Sequence, residues 1–150
     1  MTDLVLVQKQ DFSVSEHYQA MIDNDTSAGA VVFFVGRVRD INEDQQVTGL
    51  FLEHYPGMTE KTLHEIIQTA RQRWSLDQVR IIHRIGALQV SDQIVFVGVS
   101  SAHRQAAFQA CEYLMDFLKT KAPFWKKETG KNGDQWLDAR QSDDDAADRW

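Results

Sequence analysis

Four short segments carry residue types and spacings suited to binding an anion. The first, residues 100–104, reads SSAHR and lies where an apolar run gives way to a helical pattern. The first turn of a helix attracts anions through its free N–H groups and its dipole. Arginine is unfavourable in that turn unless an anion neutralises it. We therefore expect His103 and Arg104 to bind an anionic ligand; the alternative is that both are merely exposed.

A basic segment, residues 119–131, reverses the local sign of charge. It holds five lysines and one acid, Glu128, in a chain whose net charge is −6. Lysines complement the dipole at a helix C-terminus, which accounts for Lys119 but not for Lys126 and Lys127 beyond it. The aromatic pair FW before these two lysines suits either stacking on a planar ring or anchoring in the core, and both interpretations stay open.

A third segment, residues 36–39, reads GRVR at the end of an apolar run. Side chains alternate along a strand, so Arg37 and Arg39 point to the same side. Two guanidinium groups suit bidentate binding of a phosphate, and salt bridges to surface acids are the alternative. The fourth segment, residues 136–140, contributes Arg140, one more cation near a predicted strand.

The sequence lacks the motifs of several other chemistries. No two of its five histidines sit at close metal-ligand spacing, and there is no GxGxxG, P-loop or GxSxG motif. The single cysteine, Cys111, excludes an internal disulfide, and its place on an apolar helical face is typical of a packed core thiol. We therefore expect neither a metal nor a bound cofactor.

Hydrophobic periodicity predicts the elements that must position these segments. A capping box at Ser13 to Glu16 starts a helix. The dense apolar run at 30–38 predicts a strand buried on both faces, and the polar stretch 40–46 predicts a loop. The acidic tail beyond residue 140 is expected to be solvated. The sequence predicts helices at 12–22, 59–74 and 102–120, and strands at 30–38, 48–55, 78–85, 93–101 and 134–139.

Length and composition bound the remaining possibilities. The 150 residues are 43% hydrophobic and 25% charged, and strands interleave with helices, which is typical of one domain of mixed α/β (α+β) type. We expect a single domain over 1–150, with 1–25 and 141–150 peripheral. A pI of about 5.3 argues against a protein that coats nucleic acid. With no signal peptide and no apolar run of membrane-spanning length, the cytoplasm is the expected compartment.

Several motifs together resemble the large, catalytic subunit of molybdopterin synthase. They occur in that family's order and fall within residues 30–140. The motifs are LEHYPGM at 52–58, HRIG at 83–86, SAHR at 101–104, MDFLKT at 115–120 and APFWKK at 122–127.

The resemblance implies an α/β hammerhead-type fold and a sulfurtransferase of molybdenum cofactor biosynthesis. Members of this family convert cyclic pyranopterin monophosphate into molybdopterin by installing two dithiolene sulfurs. The sulfur arrives as a thiocarboxylate on the C-terminal Gly-Gly of a small ubiquitin-like subunit, whose tail enters a pocket of the large subunit. The implied assembly is a homodimer of large subunits within a heterotetramer, with neither nucleic acid nor a membrane as partner.

The resemblance also implies roles for residues of the four segments. We expect Arg39, His103 and Arg104 to hold the substrate phosphate. We expect Lys119 to move protons or to stabilise the oxyanion formed as the acyl group transfers, and Lys126 to steer the thiocarboxylate and share that catalytic role. The substrate site that the resemblance implies comprises Arg37, Val38, Arg39, His103, Arg104, Lys119, Lys126, Lys127 and Glu128, with Arg140 as a weaker member.

Helix geometry adds a prediction about assembly. His103 and Lys119 lie about 24 Å apart on one predicted helix, at a rise of about 1.5 Å per residue. One small pocket cannot easily hold both from the same chain, so we expect a composite site in which a second large subunit supplies His103 and Arg104. Composition alone leaves two other classes open: a non-catalytic module that binds a phosphorylated heterocycle or nucleotide, and a scaffold that docks an acidic protein tail.

Overall fold

The computed structural model describes residues 3–42, 44–131, 133–137 and 140–150, with Gln141 described by its backbone. Over these residues the chain forms nine strands and four helices. None of these helices is both long and apolar enough to span a membrane. In chain order the elements are β1 (Asp3–Gln8), α1 (Val14–Ile22), β2 (Ala30–Arg37), β3 (Ile41–Asn42), β4 (Gln45–His54), α2 (Met58–Arg73), β5 (Val79–Arg84), β6 (Gly86–Gln89), β7 (Gln93–Ser101), α3 (Arg104–Lys121), β8 (Phe124–Gly130), β9 (Gly133–Leu137) and α4 (Gln141–Asp148).

A four-stranded sheet in the order β1-β5-β7-β2 carries the main core. β1 runs parallel to β5, and the other neighbouring strands are antiparallel. Alternate residues of β5 and β7, among them Val79, Ile81 and Val97, are fully buried against the apolar stripes of α2 and α3. The predicted helices and strands in this half of the molecule are confirmed, with ends that differ by at most two residues.

A second sheet has the order β3-β4-β8-β9, and β6 pairs with β4 outside that path. β4 and β8 are antiparallel, with Leu52 opposite Lys126. A small apolar cluster of Val38, Leu52 and Leu88 lies beneath this sheet. The predicted mixed α/β class is confirmed, and the basic segment proves to be largely a strand, β8.

Four of the described strands were not predicted from the sequence: β1, β3, β6 and β8. In β8 the residues that face the protein include Lys126 and Glu128, so the alternation of apolar and polar residues that marks a strand is missing. The predicted loop at 40–46 is wrong, because Ile41 pairs with Gln46 in a β3–β4 hairpin. The last predicted strand is confirmed as β9, but its residues 138 and 139 lie outside the described residues.

β2 is not buried on both faces, contrary to prediction. Phe33 and Phe34 are each 43% exposed. The reason is the position of β2: it is the last strand of its sheet, and within the described part of the chain it pairs only with β7. The near-continuous apolar run therefore belongs to an edge strand, which is open for association with another chain.

The acidic tail is only partly solvated, so that prediction is wrong in part. Asp144, Asp145 and Asp148 are exposed, but the segment folds into α4 and packs on α3. The indole nitrogen of Trp150 donates to Asp116 at 2.6 Å, and Ala147 is buried. The C-terminal apolar residues thus attach a charged helix to the body of the protein.

Candidate active site

A cavity of about 300 Å³ lies where the end of β2, the end of α3, β8 and the start of α4 meet. Its size is at the lower end of small-molecule sites. The walls comprise Arg37, Val38, Arg39, Ile41, Asn42, Val47, Leu50, His83, Ile94, Leu118, Lys119, Ala122, Phe124, Lys126, Glu128, Leu137, Arg140 and Asp143.

The charge of this cavity is opposite to that of the chain. Five cationic side chains line it against two carboxylates, Glu128 and Asp143. A cleft lined by one sign of charge raises the local concentration of an oppositely charged ligand. The cavity is therefore suited to an anionic ligand, although the whole chain carries −6.

The backbone at the end of β2 fixes two of these cations. Val38 donates its N–H to the carbonyl of Asp92 at 2.9 Å, and Ser91 donates to the carbonyl of Val38 at 2.8 Å. Arg37 Nε donates to the Ser91 carbonyl at 3.2 Å. Because Val38 is buried between them, Arg37 and Arg39 are held at one rim of the cavity.

β8 supplies the wall that faces those arginines. Its alternate residues Phe124, Lys126 and Glu128 line the cavity. Asn42 donates to Glu128 Oε2 at 2.7 Å and so links the β3–β4 hairpin to this wall. Lys127, between the inward residues, faces the other side of the sheet, where its ammonium lies 5.5 Å from the ring centroid of Trp136.

Lys126 has an unusual protonation equilibrium. Burial is the largest of the causes that lower the pKa of Lys126 to about 7, and the positive charge and hydrogen-bonding contact of the neighbouring Lys119 side chain act in the same direction. Asp143 acts in the opposite direction. Near neutral pH, Lys126 therefore exchanges its proton readily, as a general acid or base must.

His83 lines the cavity but is not among the site residues predicted from the sequence. It is 3% exposed and stacks on Phe124 at 3.8 Å between ring centroids. Burial lowers the pKa of His83 to about 3, so the ring is neutral. Its two-residue spacing from Val79 and Ile81 puts it on the inward face of β5, and this alternation is the signal that could have found it.

The predicted site residues fall into two groups. The structure brings Arg37, Val38, Arg39, Lys119, Lys126, Glu128 and Arg140 together around the cavity. It places His103 and Arg104 at the other end of α3, where both are exposed, and it points Lys127 outward. Asn42, His83 and Asp143 line the cavity although none of them was among the predicted site residues.

Among the described residues no group of three or more histidine, cysteine or acidic side chains could hold a metal ion. Cys111 is buried, and burial raises the pKa of its thiol to about 12. Its Sγ lies 3.7 Å from the carbonyl oxygen of Val97. Such a thiol is a packing residue with almost no thiolate at neutral pH, as predicted.

Comparison with known proteins identifies the family of the chain. The family profile described as MoaE protein matches residues 7–121. The chain belongs to the MoaE family. A curated relative from Vibrio cholerae, named molybdopterin synthase catalytic subunit, is 59% identical over 150 residues, covering 100% of this chain and 99% of the relative. A relative of the same name from Escherichia coli K12 is 55% identical over 146 residues, covering 97% of each.

The fold of the family agrees as well. A solved MoaE protein from Burkholderia ambifaria superposes with a TM-score of 0.85 at 46% identity, covering 99% of this chain and 98% of that structure. The family resemblance in the motifs, the mixed fold and the enzyme class of molybdopterin synthase are thereby confirmed.

Proposed function

We propose that this MoaE-family chain transfers sulfur to cyclic pyranopterin monophosphate, taking it from the thiocarboxylated C-terminus of a small ubiquitin-like subunit. The observation that carries the proposal is the cavity lined by five cations, in which two lysines are in contact. Both reactants are anions, a cyclic phosphate and a thiocarboxylate, and such a cavity attracts both.

The sulfur has to come from another molecule. The chain has one cysteine, Cys111, and its thiol is buried and protonated. Sulfur transfer from a thiocarboxylate moves the sulfur to the substrate and, once water cleaves the acyl bond, leaves a carboxylate on the small subunit. This chain then needs to bind, orient and supply charge, which is what its cavity residues offer.

The lysine pair is suited to the acyl step. Cleavage of an acyl–sulfur bond develops negative charge on the carbonyl oxygen, and a fixed cation stabilises that charge most where water is excluded. We assign this role to Lys119. Lys126 steers the incoming thiocarboxylate and, with a pKa of about 7, exchanges protons during turnover.

The phosphate subsite requires a second copy of the chain. His103 and Arg104 lie at the N-terminal end of α3 and Lys119 near its C-terminal end, about 24 Å apart at helical rise. β2 spans a similar length, about 23 Å from Ala30 to Arg37. Ala30 pairs with Ser101, next to the N-terminal end of α3, and Arg37 lies at the cavity. A twofold dimer through the exposed β2 edge would bring His103 and Arg104 of the second copy to the cavity.

Reconstitution tests the proposed activity. The chain is mixed with cyclic pyranopterin monophosphate and a thiocarboxylated small subunit, and molybdopterin is measured as the product. Product formation supports the sulfurtransferase. Binding of the substrate without product, in the presence of a competent sulfur donor, would instead indicate a non-catalytic module.

Lys119→Ala should abolish turnover, with a loss of about 10²-fold or more, because it removes the cation that stabilises developing charge. The circular dichroism spectrum and the affinity for the small subunit should match those of the unmodified protein. Full activity in this variant would contradict the role assigned to Lys119.

Subunit mixing tests the composite site. Inactive His103→Ala and Lys119→Ala chains are mixed and allowed to exchange. Half of the random dimers are then hybrids, each with one intact site, so activity should recover to about a quarter of that of the unmodified protein. Absence of recovery, with exchange verified by mass spectrometry, would show that each chain supplies its own His103.

A further inference from the structure

The turn between β6 and β7 contacts the end of β2, where the cavity arginines lie. It comprises residues 89–92 and is closed by two hydrogen bonds. Asp92 donates its N–H to the carbonyl of Gln89 at 3.0 Å, and Gln89 donates its N–H to Asp92 Oδ2 at 2.9 Å. The side chain of Asp92 therefore reinforces a turn that the backbone alone would close once.

Ser91 has a backbone conformation in this turn that serine rarely adopts. Its φ is +78° at the third position of the turn, where a type II turn usually has glycine. A non-glycine residue in the left-handed region persists only where its surroundings enforce it, and such residues are concentrated at functional sites. Here the two bonds between Gln89 and Asp92 hold Ser91 in place.

The enforced conformation directs the carbonyl of Ser91 to Arg37, whose Nε donates to it at 3.2 Å. Within the described residues this is the one side-chain hydrogen bond of Arg37, and Arg37 has no ion pair. A guanidinium carries five N–H donors in one rigid plane. A bond through Nε leaves the edge formed by the two Nη atoms free, and that edge can bind a phosphate with two parallel hydrogen bonds.

Arg84 fixes the turn to the four-stranded sheet. Its Nη1 donates to the carbonyl of Gln93 at 3.0 Å and lies 3.9 Å from the Asp92 carboxylate. Its Nε donates to the carbonyl of Lys9, just beyond β1, at 3.2 Å. The side chain of Arg84 is only 12% exposed, so the turn rests on a rigid part of the protein.

We propose that Asp92 is a positioning residue for Arg37: its carboxylate closes the turn, and the turn presents the Ser91 carbonyl that orients the guanidinium. Arg37 is exposed, and an exposed arginine loses much rotamer freedom when it binds a ligand. Orienting it beforehand removes that cost from binding. The inference rests on the proposed place of Arg37 in the substrate site.

Four substitutions separate the contributions of the turn. Asp92→Ala removes the carboxylate, whereas Asp92→Asn keeps an oxygen that accepts from Gln89. Ser91→Val opposes the positive φ and opens the turn without a change at Asp92, which provides a second test if Asp92→Ala does not fold. Ser91→Gly favours the positive φ and removes the hydroxyl. This control is needed because Ser91 also lines a second cavity, of about 590 Å³, which shares Arg37 with the first.

The primary readout is exchange of the Arg37 Nε–H with water, followed by ¹⁵N NMR of the full chain without ligand. We expect Asp92→Ala and Ser91→Val to accelerate this exchange by about tenfold, because the bond to the Ser91 carbonyl is lost. Asp92→Asn and Ser91→Gly should stay within about threefold of the unmodified protein. Unchanged exchange in the folded turn-opening variants would overturn the inference.

A double-mutant cycle with inorganic phosphate distinguishes positioning of Arg37 from general loosening. We expect Asp92→Ala to weaken phosphate binding by about threefold to tenfold, and by less than about twofold in an Arg37→Met background. The melting temperature should fall equally in both backgrounds, because the structural role of Asp92 does not depend on Arg37. A loss of affinity that persists without Arg37 would contradict the positioning role.

Turnover provides a further test. For cyclic pyranopterin monophosphate, Asp92→Ala should raise KM by about threefold to tenfold with kcat changed by less than about twofold, and Asp92→Asn should restore KM. A fall in kcat with an unchanged KM would count against the inference. The exchange measurement needs no ligand, so it decides the inference even if the unmodified chain makes no molybdopterin and the proposed function fails.

Discussion

The two faces of β8 put adjacent lysines into opposite environments. Lys126 faces the cavity, where burial and a neighbouring lysine lower its pKa to about 7. Lys127 faces outward. Its ammonium lies 5.5 Å from the ring centroids of Phe51 and Trp136, and 4.0 Å from a carboxylate oxygen of Asp134.

The comparison shows that location on the strand, rather than residue type, sets the chemistry of these lysines. A partly desolvated ammonium beside another cation loses its proton readily. An ammonium between aromatic faces, near a carboxylate and in contact with solvent, is stabilised in its charged form. The inward lysine can therefore switch between charged and neutral forms near neutral pH.

The largest expected effect is the loss of turnover in Lys126→Met. Methionine keeps much of the side-chain volume and removes the amine, so we expect kcat to fall by about 10²-fold or more. The measurement is steady-state molybdopterin formation at saturating substrate and small subunit. Retention of more than about a tenth of the activity would show that the Lys126 amine is not needed for the reaction, and that the inward and outward lysines do not differ in function.

The pH dependence of substrate binding should be the next largest effect. Below pH 7 Lys126 is already protonated in the free protein. Above pH 7 it is mostly neutral, so Lys126 has to take up a proton when the anion binds. Affinity for cyclic pyranopterin monophosphate should therefore fall as the pH rises above 7, by at most about tenfold per pH unit.

Calorimetry at pH 6 to 9, in buffers of different ionisation enthalpy, measures both the affinity and the proton uptake. Lys126→Met serves as the control, because it should bind more weakly and lose this pH dependence. An affinity that stays constant over the whole range in the unmodified protein would show that Lys126 does not change its protonation on binding.

The smallest effect is expected for Lys127→Met, the matched control for the inward lysine. Family resemblance places Lys127 in the substrate site, whereas the structure points it away from the cavity. We expect turnover at saturating small subunit to change by less than about threefold, as for an exposed cation–π contact of about 0.5–1 kcal/mol. A loss as large as that of Lys126→Met would mean that the outward face also contacts a reactant.

Much of the fold could be predicted from local patterns. α2, α3, β5 and β7 follow from hydrophobic periodicity because each buries one regular face or run in the main core. β1 was not predicted, and its partner β5 lies some 76 positions along the chain, so their pairing leaves no local pattern. The position of β2 at a sheet edge could not be predicted either, since strand order is a property of the assembled sheet.

The site could be predicted only in part. Arg37, Arg39, Lys119 and Lys126 were indicated by charge, spacing and family motifs, and the structure brings them into one cavity. His83 was not included, because its place in the HRIG motif and on the inward face of β5 indicates burial rather than membership of a site. Its position in the cavity wall depends on the tertiary packing that stacks its ring on Phe124.

The sequence by itself determined most helices and strands of the main core, the excess of lysine in residues 119–131, and the single cysteine on an apolar helical face. Those properties follow from residue type and from short-range periodicity. Tertiary structure alone decided that Lys126 faces inward, that Lys119 meets it from α3, and that α4 closes one wall. The physical reason is that desolvation and charge–charge repulsion depend on distances between residues far apart in the chain, which no local pattern encodes.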